Sequence, residues 1–189
     1  MPLVPQPAEP CIKRHYFAAF HHVVREMWGE EGLADVRSRM PAPEAEESFA
    51  DNLPLWVPER LVIAWCFALW EGRADRKRAR YVAWLHRVSD ITFGRVRRLL
   101  LSIATPAKIF GMAGELWRAD RTHGTLAGTV DGNRGVFVLS DHPYNETPQA
   151  RATMAEILRY TIELARAKNV SETHARRIDG ALEVKIKWL

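Results

Sequence analysis

An α+β domain, with an N-terminal helical bundle followed by a four-stranded antiparallel sheet, is predicted by three observations in these 189 residues. Through residue 122 the apolar residues recur at helical spacing, broken by glycine and proline. From residue 123 the pattern switches twice to strict alternation, each time around a tight Asp-Gly turn. Between the two alternating stretches lies one long amphipathic segment, giving a hairpin–helix–hairpin order.

Residues 1–11, with four prolines in "MPLVPQPAEP", read as a flexible leader, and residues 12–189 as one domain with a helical part to 122 and a sheet part from 123. In "KRHYFAAFHHVVREMWGEEG", Tyr16, Phe17, Phe20, Val23, Val24 and Met27 mark an amphipathic helix stopped near Gly29. A short helix over Leu33–Met40 and an acidic connection follow. "PERLVIAWCFALWEG" places Pro58 at a helix start and is apolar nearly all round, as a buried helix would be. "ADRKRARYVAWLHRVSD" and "GRVRRLLLSIATP" read as two further helices, the first capped by Asp75 and the second ended by Pro106. "PAKIFGMAGELWRADRTHG" reads as one amphipathic helix ending at Gly124.

"TLAGTVDGNRGVFVLSD" then forms a hairpin around Asp131-Gly132-Asn133. A helix from Thr147, its cap, to about Lys168 precedes the closing hairpin around Asp179-Gly180. A two-residue turn there sets Arg176 opposite Glu183 and Glu172 opposite Lys187, with Leu182, Val184, Ile186 and Trp188 on the buried face. A lone hairpin is marginal in water, so both should join one sheet under the helix.

The composition is 47% apolar and 10% aromatic with a net charge of +4, which suits a folded core and argues for no anionic partner by itself. Cys11 and Cys66 lack paired spacing and read as free thiols in a reducing cytoplasm. No apolar run approaches the roughly 18 residues of a membrane helix.

"LWRADRTHGTL" and "ILRYTIELARAKNVSETHARRIDGALEVKIKW" resemble an uncharacterised myxobacterial family of about this length, from near Tyr16 onward. That family is similar to the superfamily of V4R domains, small TRAPP subunits and H-NOX haem domains. The resemblance implies a V4R/H-NOX-like fold and a scaffold for a ligand or partner, often as a homodimer. The N-terminal helix, with Phe17, Phe20, Val24 and Trp28, offers apolar surface for such pairing. Two departures weigh against the better-known chemistry. Arg177–Glu183 lacks the cysteines common near the last V4R hairpin, and no Tyr-x-Ser-x-Arg run is present to hold haem propionates.

The histidines point to no metal site: His21 and His22 project about 100° apart, and His15 and His22 share a face without a third ligand. His86, among apolar residues of "YVAWLHRV", is the candidate ligand if the chain holds haem, and otherwise a histidine at the core edge. Asp141, His142 and Tyr144, next to Ser140, lack a nucleophile turn and read as loop chemistry. Five basic residues within 73–80 would contact phosphates or, more simply, solvate a helix start, and nucleic acid is not expected as a partner.

Trp65, Trp70, Tyr81, Trp84 and Trp117 are the candidate ligand-binding residues, lining an apolar cavity between helices and sheet or filling a plain core. The functional expectation is a non-enzymatic sensory or adaptor domain, with a protein partner and a small apolar ligand. The alternative is a haem or tetrapyrrole sensor, or a cofactor-dependent enzyme using the same pocket.

Overall fold

The computed structural model describes residues 8–189, with only the backbone of residues 95–97. The fold is α+β. Helices α1 (His15–Arg39), α2 (Ala42–Ser48), α3 (Glu59–Glu71) and α4 (Arg78–Ile103) form the helical layer. Short helices α5 (Pro106–Gly111) and α6 (Ala113–Arg118) lead into the sheet. The sheet comprises β3 (Thr125–Asp131), β4 (Arg134–Ser140), β5 (Ser171–Arg176) and β6 (Leu182–Lys187), with α7 (Pro148–Leu164) between the two hairpins.

The strand order is β3-β4-β6-β5, antiparallel throughout, so the two hairpins join edge to edge through β4 and β6. Alternation does the rest: Leu126, Phe137, Leu139, Leu182, Val184 and Ile186 all turn to one buried face. Helices α5 and α6 pack against β3, and α7 against β5 and β6. Thr147 caps α7 by accepting from Ala150 N at 3.1 Å.

Two small strands escaped the sequence reading. Cys11–Lys13 (β1) pairs antiparallel with Trp56–Pro58 (β2), and Cys11 and Ile12 are buried. Cys11 therefore belongs to the fold, not to a leader. Residues 1–7 of that leader lie outside the described residues. Strands of three residues, one holding a proline, offer too little alternation to read.

Gly29 was expected to stop a helix and Gly94 to open a separate one. Instead each takes a positive φ, 67° and 61°, and kinks a chain that resumes as helix on the far side. Asp75 does not cap α4: it has a positive φ of 53° in the preceding turn and pairs with Lys77 at 2.8 Å. The single helix expected from Pro106 is broken into α5 and α6 at Met112.

The closing hairpin is shifted by one residue from the expected register. Arg176 faces Leu182 and Glu172 faces Ile186, around a three-residue loop in which Gly180 has φ 85°. A three-residue loop with glycine in the left-handed region is the next commonest hairpin after the two-residue turn. The Arg176–Glu183 and Glu172–Lys187 pairs are therefore not directly opposite. The buried face survives, because it is set by β6 alone.

Phe17, Phe20 and Val24 lie in the core and Trp28 is half-buried, so they offer no free face to a second copy. Among the described residues no helix is long and apolar enough to cross a membrane.

Candidate functional site: an apolar chamber with a charged end

Where the helical layer meets the sheet, a cavity of about 80 Å³ remains. Its walls come from α1 (Phe20), α3 (Val62), α4 (Leu85, Val88), α6 (Trp117), β3 and β4 (Leu126, Phe137) and α7 (Met154, Leu158). Four hydroxyls in the wall are turned back onto their own helices, Thr92 among them, donating to Ser89 O at 3.3 Å. Ser89 donates to Leu85 O at 2.8 Å, Thr153 to Gln149 O at 2.9 Å, and Thr161 to Ile157 O at 2.8 Å. The walls are thus apolar in effect.

One end is different. Arg121 lines the chamber, its guanidinium 4.2 Å over the Trp117 ring, and its Nε donates to Glu59 Oε1 at 3.4 Å. Glu59 is wholly buried at the start of α3. Burial pushes its carboxyl up, while the Arg121 guanidinium and the Tyr144 hydroxyl pull it down. His142 lies between Trp117, edge-on at 4.9 Å, and Tyr144, stacked at 5.1 Å.

Burial and the nearby Arg121 hold the His142 imidazole down at about 2, so it is neutral. Its Nδ1 accepts from Tyr144 N at 3.3 Å, which assigns the ring proton to Nε2. That Nε2 stands 3.9 Å from Glu59 Oε2, beyond hydrogen-bond range, and among the described residues neither atom has a partner at hydrogen-bond distance and angle. Buried polar atoms left over beside a cavity mark a functional-site candidate, because they keep capacity to bind.

Of the residues expected to line a ligand cavity, only Trp117 does so here. Trp65 and Trp84 are fully buried and pack on Phe20, with ring centroids at 5.6 and 5.3 Å. Trp70 and Tyr81 line a separate recess of about 110 Å³, and the Tyr81 hydroxyl is bonded to Thr153 at 2.7 Å. His86 lies outside the chamber. It stacks on Tyr160 at 3.9 Å and bonds Glu156 Oε1 at 2.8 Å. Glu156 also accepts from Arg159 at 2.7 Å and Arg78 at 3.3 Å; burial raises its carboxyl, but His86 and Arg159 outweigh that and hold it at about 2.

The basic run is largely engaged locally. Arg73 reaches Glu31 O, Arg76 pairs with Glu71, and Arg78 pairs with Glu156 and Glu172. His142 and Tyr144, read from sequence as loop chemistry, belong to the charged end of the chamber. Glu59 and Arg121 gave no signal, because a charged residue at a helix start or end is ordinarily solvated. Among the described residues no group of three or more His, Cys, Asp or Glu is placed to hold a metal.

The chain matches no protein-family model and no curated protein. Solved structures of H-NOX domains match over nearly its whole length. The unliganded Fe(II) H-NOX protein from K. algicida aligns at TM-score 0.62 with 10% identity, covering 94% of this chain and 97% of that one. An H-NOX protein from S. oneidensis in the Fe(II) state aligns at 0.63 with 11% identity, covering 94% and 96%. An oxygen-binding H-NOX domain related to soluble guanylate cyclases, in its oxygen complex, aligns at 0.57 with 13% identity, covering 94% and 95%. The fold is H-NOX-like.

Haem does not fit the residues present. The chamber, at about 80 Å³, is far below the roughly 300–1,000 Å³ of pockets for sizeable ligands. The sheet face is covered by Phe110, stacked on Phe137 at 4.0 Å and lying against Gly128 and Gly135. Among the described residues no histidine is in the chamber wall itself, His142 packing between the wall residues Trp117 and Tyr144. Burial pushes the Cys66 thiol up to about 12, so it is protonated in the metal-free chain, and Tyr16 donates its hydroxyl to Asp120.

Proposed function

We propose that this chain is a non-enzymatic sensory domain of H-NOX-like fold that holds a small apolar ligand in the chamber, without haem, and signals its occupancy to a protein partner. The observation that carries this reading is the apolar chamber walled by both layers of the fold, with Arg121 as its one charged wall residue among the described residues. A ligand there touches α4, α7 and the sheet at once, and so biases how the layers pack. Its size is limited to a few heavy atoms by the volume. An acceptor atom on it would face the Arg121 guanidinium.

The likeness to haem-bearing Fe(II) and oxygen-complexed domains favours a second reading, a haem-dependent gas sensor. Two measurements separate the readings. Xenon enters dry apolar cavities, and under xenon pressure the methyl signals of Met154 and Leu158 should shift saturably, an effect that Ala113→Leu should suppress. Haem added to the purified chain should leave no stoichiometric Soret band. Stoichiometric haem uptake with a sharp Soret band would sink the first reading in favour of the second, and unmoved methyl signals would sink the chamber itself.

A further inference from the structure

On the far side of α1 from the chamber lies an open groove of about 830 Å³, lined by Arg14, Ala18, His21, Arg25, Arg37 and the segment from Ser48 to Leu53. The kink at Gly29 brings the two halves of α1 toward each other here: His21 packs edge-on against Phe49 at 4.6 Å, and the Arg37 guanidinium lies 5.4 Å over the same ring. Residues 14, 18, 21 and 25 fall on one helical stripe. Ala18, exposed and small, leaves the floor open.

The charges of this groove are unevenly used. Arg25 is engaged by Glu30. Arg14 donates only to the Leu53 carbonyl, at 3.1 Å, and among the described residues neither Arg14 nor Arg37 has a carboxylate partner. Burial lowers the His21 imidazole, and its Nε2 is bonded to Ser48 O at 3.2 Å, so His21 shapes the wall as a neutral ring. Independently of the arginines, Ser48 Oγ is buried at 1% exposure, lines the groove and has no hydrogen-bond partner. A buried hydroxyl left unpaired is expensive unless something outside the chain supplies an acceptor.

We propose that this groove docks an extended acidic segment of a partner protein, with carboxylates on Arg14 and Arg37 and an acceptor on Ser48 Oγ. The dimension favours a peptide over a single small anion. The groove, at about 830 Å³, is far larger than a single small anion and open along its length to an extended chain. The proposal rests on the partner-binding half of the role above and not on the chamber, so an empty chamber leaves it standing.

Fluorescein-labelled hexaglutamate, titrated into the full chain and followed by anisotropy, should bind saturably and weaken steeply with salt. Arg14→Glu and Arg37→Glu should each weaken it about tenfold. Ala18→Trp, which fills the floor without touching a charge, should weaken it similarly. All three positions are exposed, and an unchanged far-ultraviolet circular dichroism spectrum and melting temperature would show that each variant is folded. Absence of saturable binding at millimolar peptide, or equal binding by all three variants, would overturn the proposal. Displacement of the peptide by lower concentrations of ATP, inorganic phosphate or a single-stranded oligonucleotide would overturn it too, in favour of a small-anion or nucleic-acid site.

Discussion

Gly128 and Gly135 both face Phe110, yet alanine at the two positions should fail for different reasons. A Cβ on Gly135 would stand 2.2 Å from Phe110 Cζ and 2.5–2.6 Å from its Cε atoms, the far edge of a side chain. A Cβ on Gly128 would stand 2.4 Å from the Phe110 carbonyl oxygen, which is helix backbone. Overpacking of this kind costs about 1–3 kcal/mol, against a gain of about 0.5–1 kcal/mol from replacing a strand glycine. Gly135→Ala should therefore lose about 1–2 kcal/mol and Gly128→Ala about 2–3 kcal/mol.

Phe110→Leu separates the two cases, because leucine has no ring edge but keeps the same backbone. In that background Gly135→Ala should become neutral or slightly stabilising, a coupling of about 1–3 kcal/mol, whereas Gly128→Ala should keep its cost within about 0.5 kcal/mol. Urea denaturation followed by tryptophan fluorescence measures all the terms. Equal rescue of both glycines by Phe110→Leu, or single substitutions that leave stability unchanged, would refute the description of Phe110 as a ring laid flat on the sheet.

Three further expectations follow from the same geometry. The Glu156 carboxyl is held at about 2 in the fold against an ordinary 4.5, so its contribution is complete above the higher value and lost as pH falls toward the lower; this shift corresponds to at most ~3 kcal/mol, and solvent screening at the rim leaves about half. Urea melts between pH 6 and 3 should show that loss, and Glu156→Gln should flatten it. Arg121→Met strands the buried Glu59 carboxylate and should cost about 3–5 kcal/mol, with much of it recovered when Glu59→Gln is added; thermal melts of the single and double variants would reveal a lack of recovery. Ending the chain at Lys185 removes Trp188, which is 8% exposed, stacks toward Phe110 at 5.8 Å and exchanges hydrogen bonds with Asn133. About 3–5 kcal/mol should go with it, and a melt within a few degrees of the full chain would contradict that packing.

Much of the architecture was legible because it rests on periodicity. Leu182, Val184, Ile186 and Trp188 announce one buried face whatever the turn, and the Asp131-Gly132-Asn133 turn announces its hairpin. The register around Asp179-Gly180 was not legible, since two- and three-residue loops share the same glycine and only the fold decides between them. The kinks at Gly29 and Gly94 read as boundaries between separate helices because a glycine that divides two helices and one that bends a single helix look alike until packing on the far side is known.

The site was less legible still. Tryptophan count pointed to Trp65 and Trp84, but the largest side chains fill the centre of a core and leave the cavity to be walled by Leu, Val and Met. The charged end draws on Glu59, Arg121, His142 and Tyr144, which are separated by up to 85 residues and meet only through tertiary contact. His142 also shows how a polar loop misleads: it is 5% exposed between two rings. Alanine there should cost about 1–3 kcal/mol.

The place of β6 in the sheet has a consequence for how the chain reaches its fold. Strand β6 lies between β4 and β5, so once the first hairpin has formed, the free edge of β4 stays without a neighbour until residues 182–187 have been synthesised and arrive. During that interval Phe137 and Leu139 sit on a two-stranded ribbon with an open edge, the form in which sheets most readily pair with the wrong chain. The late, sequence-distant closure also makes the β4–β6 seam the natural slow step. Conditions that lengthen the wait, such as dilute denaturant or a weakened β6, should therefore raise aggregation before they lower the equilibrium stability of the folded protein.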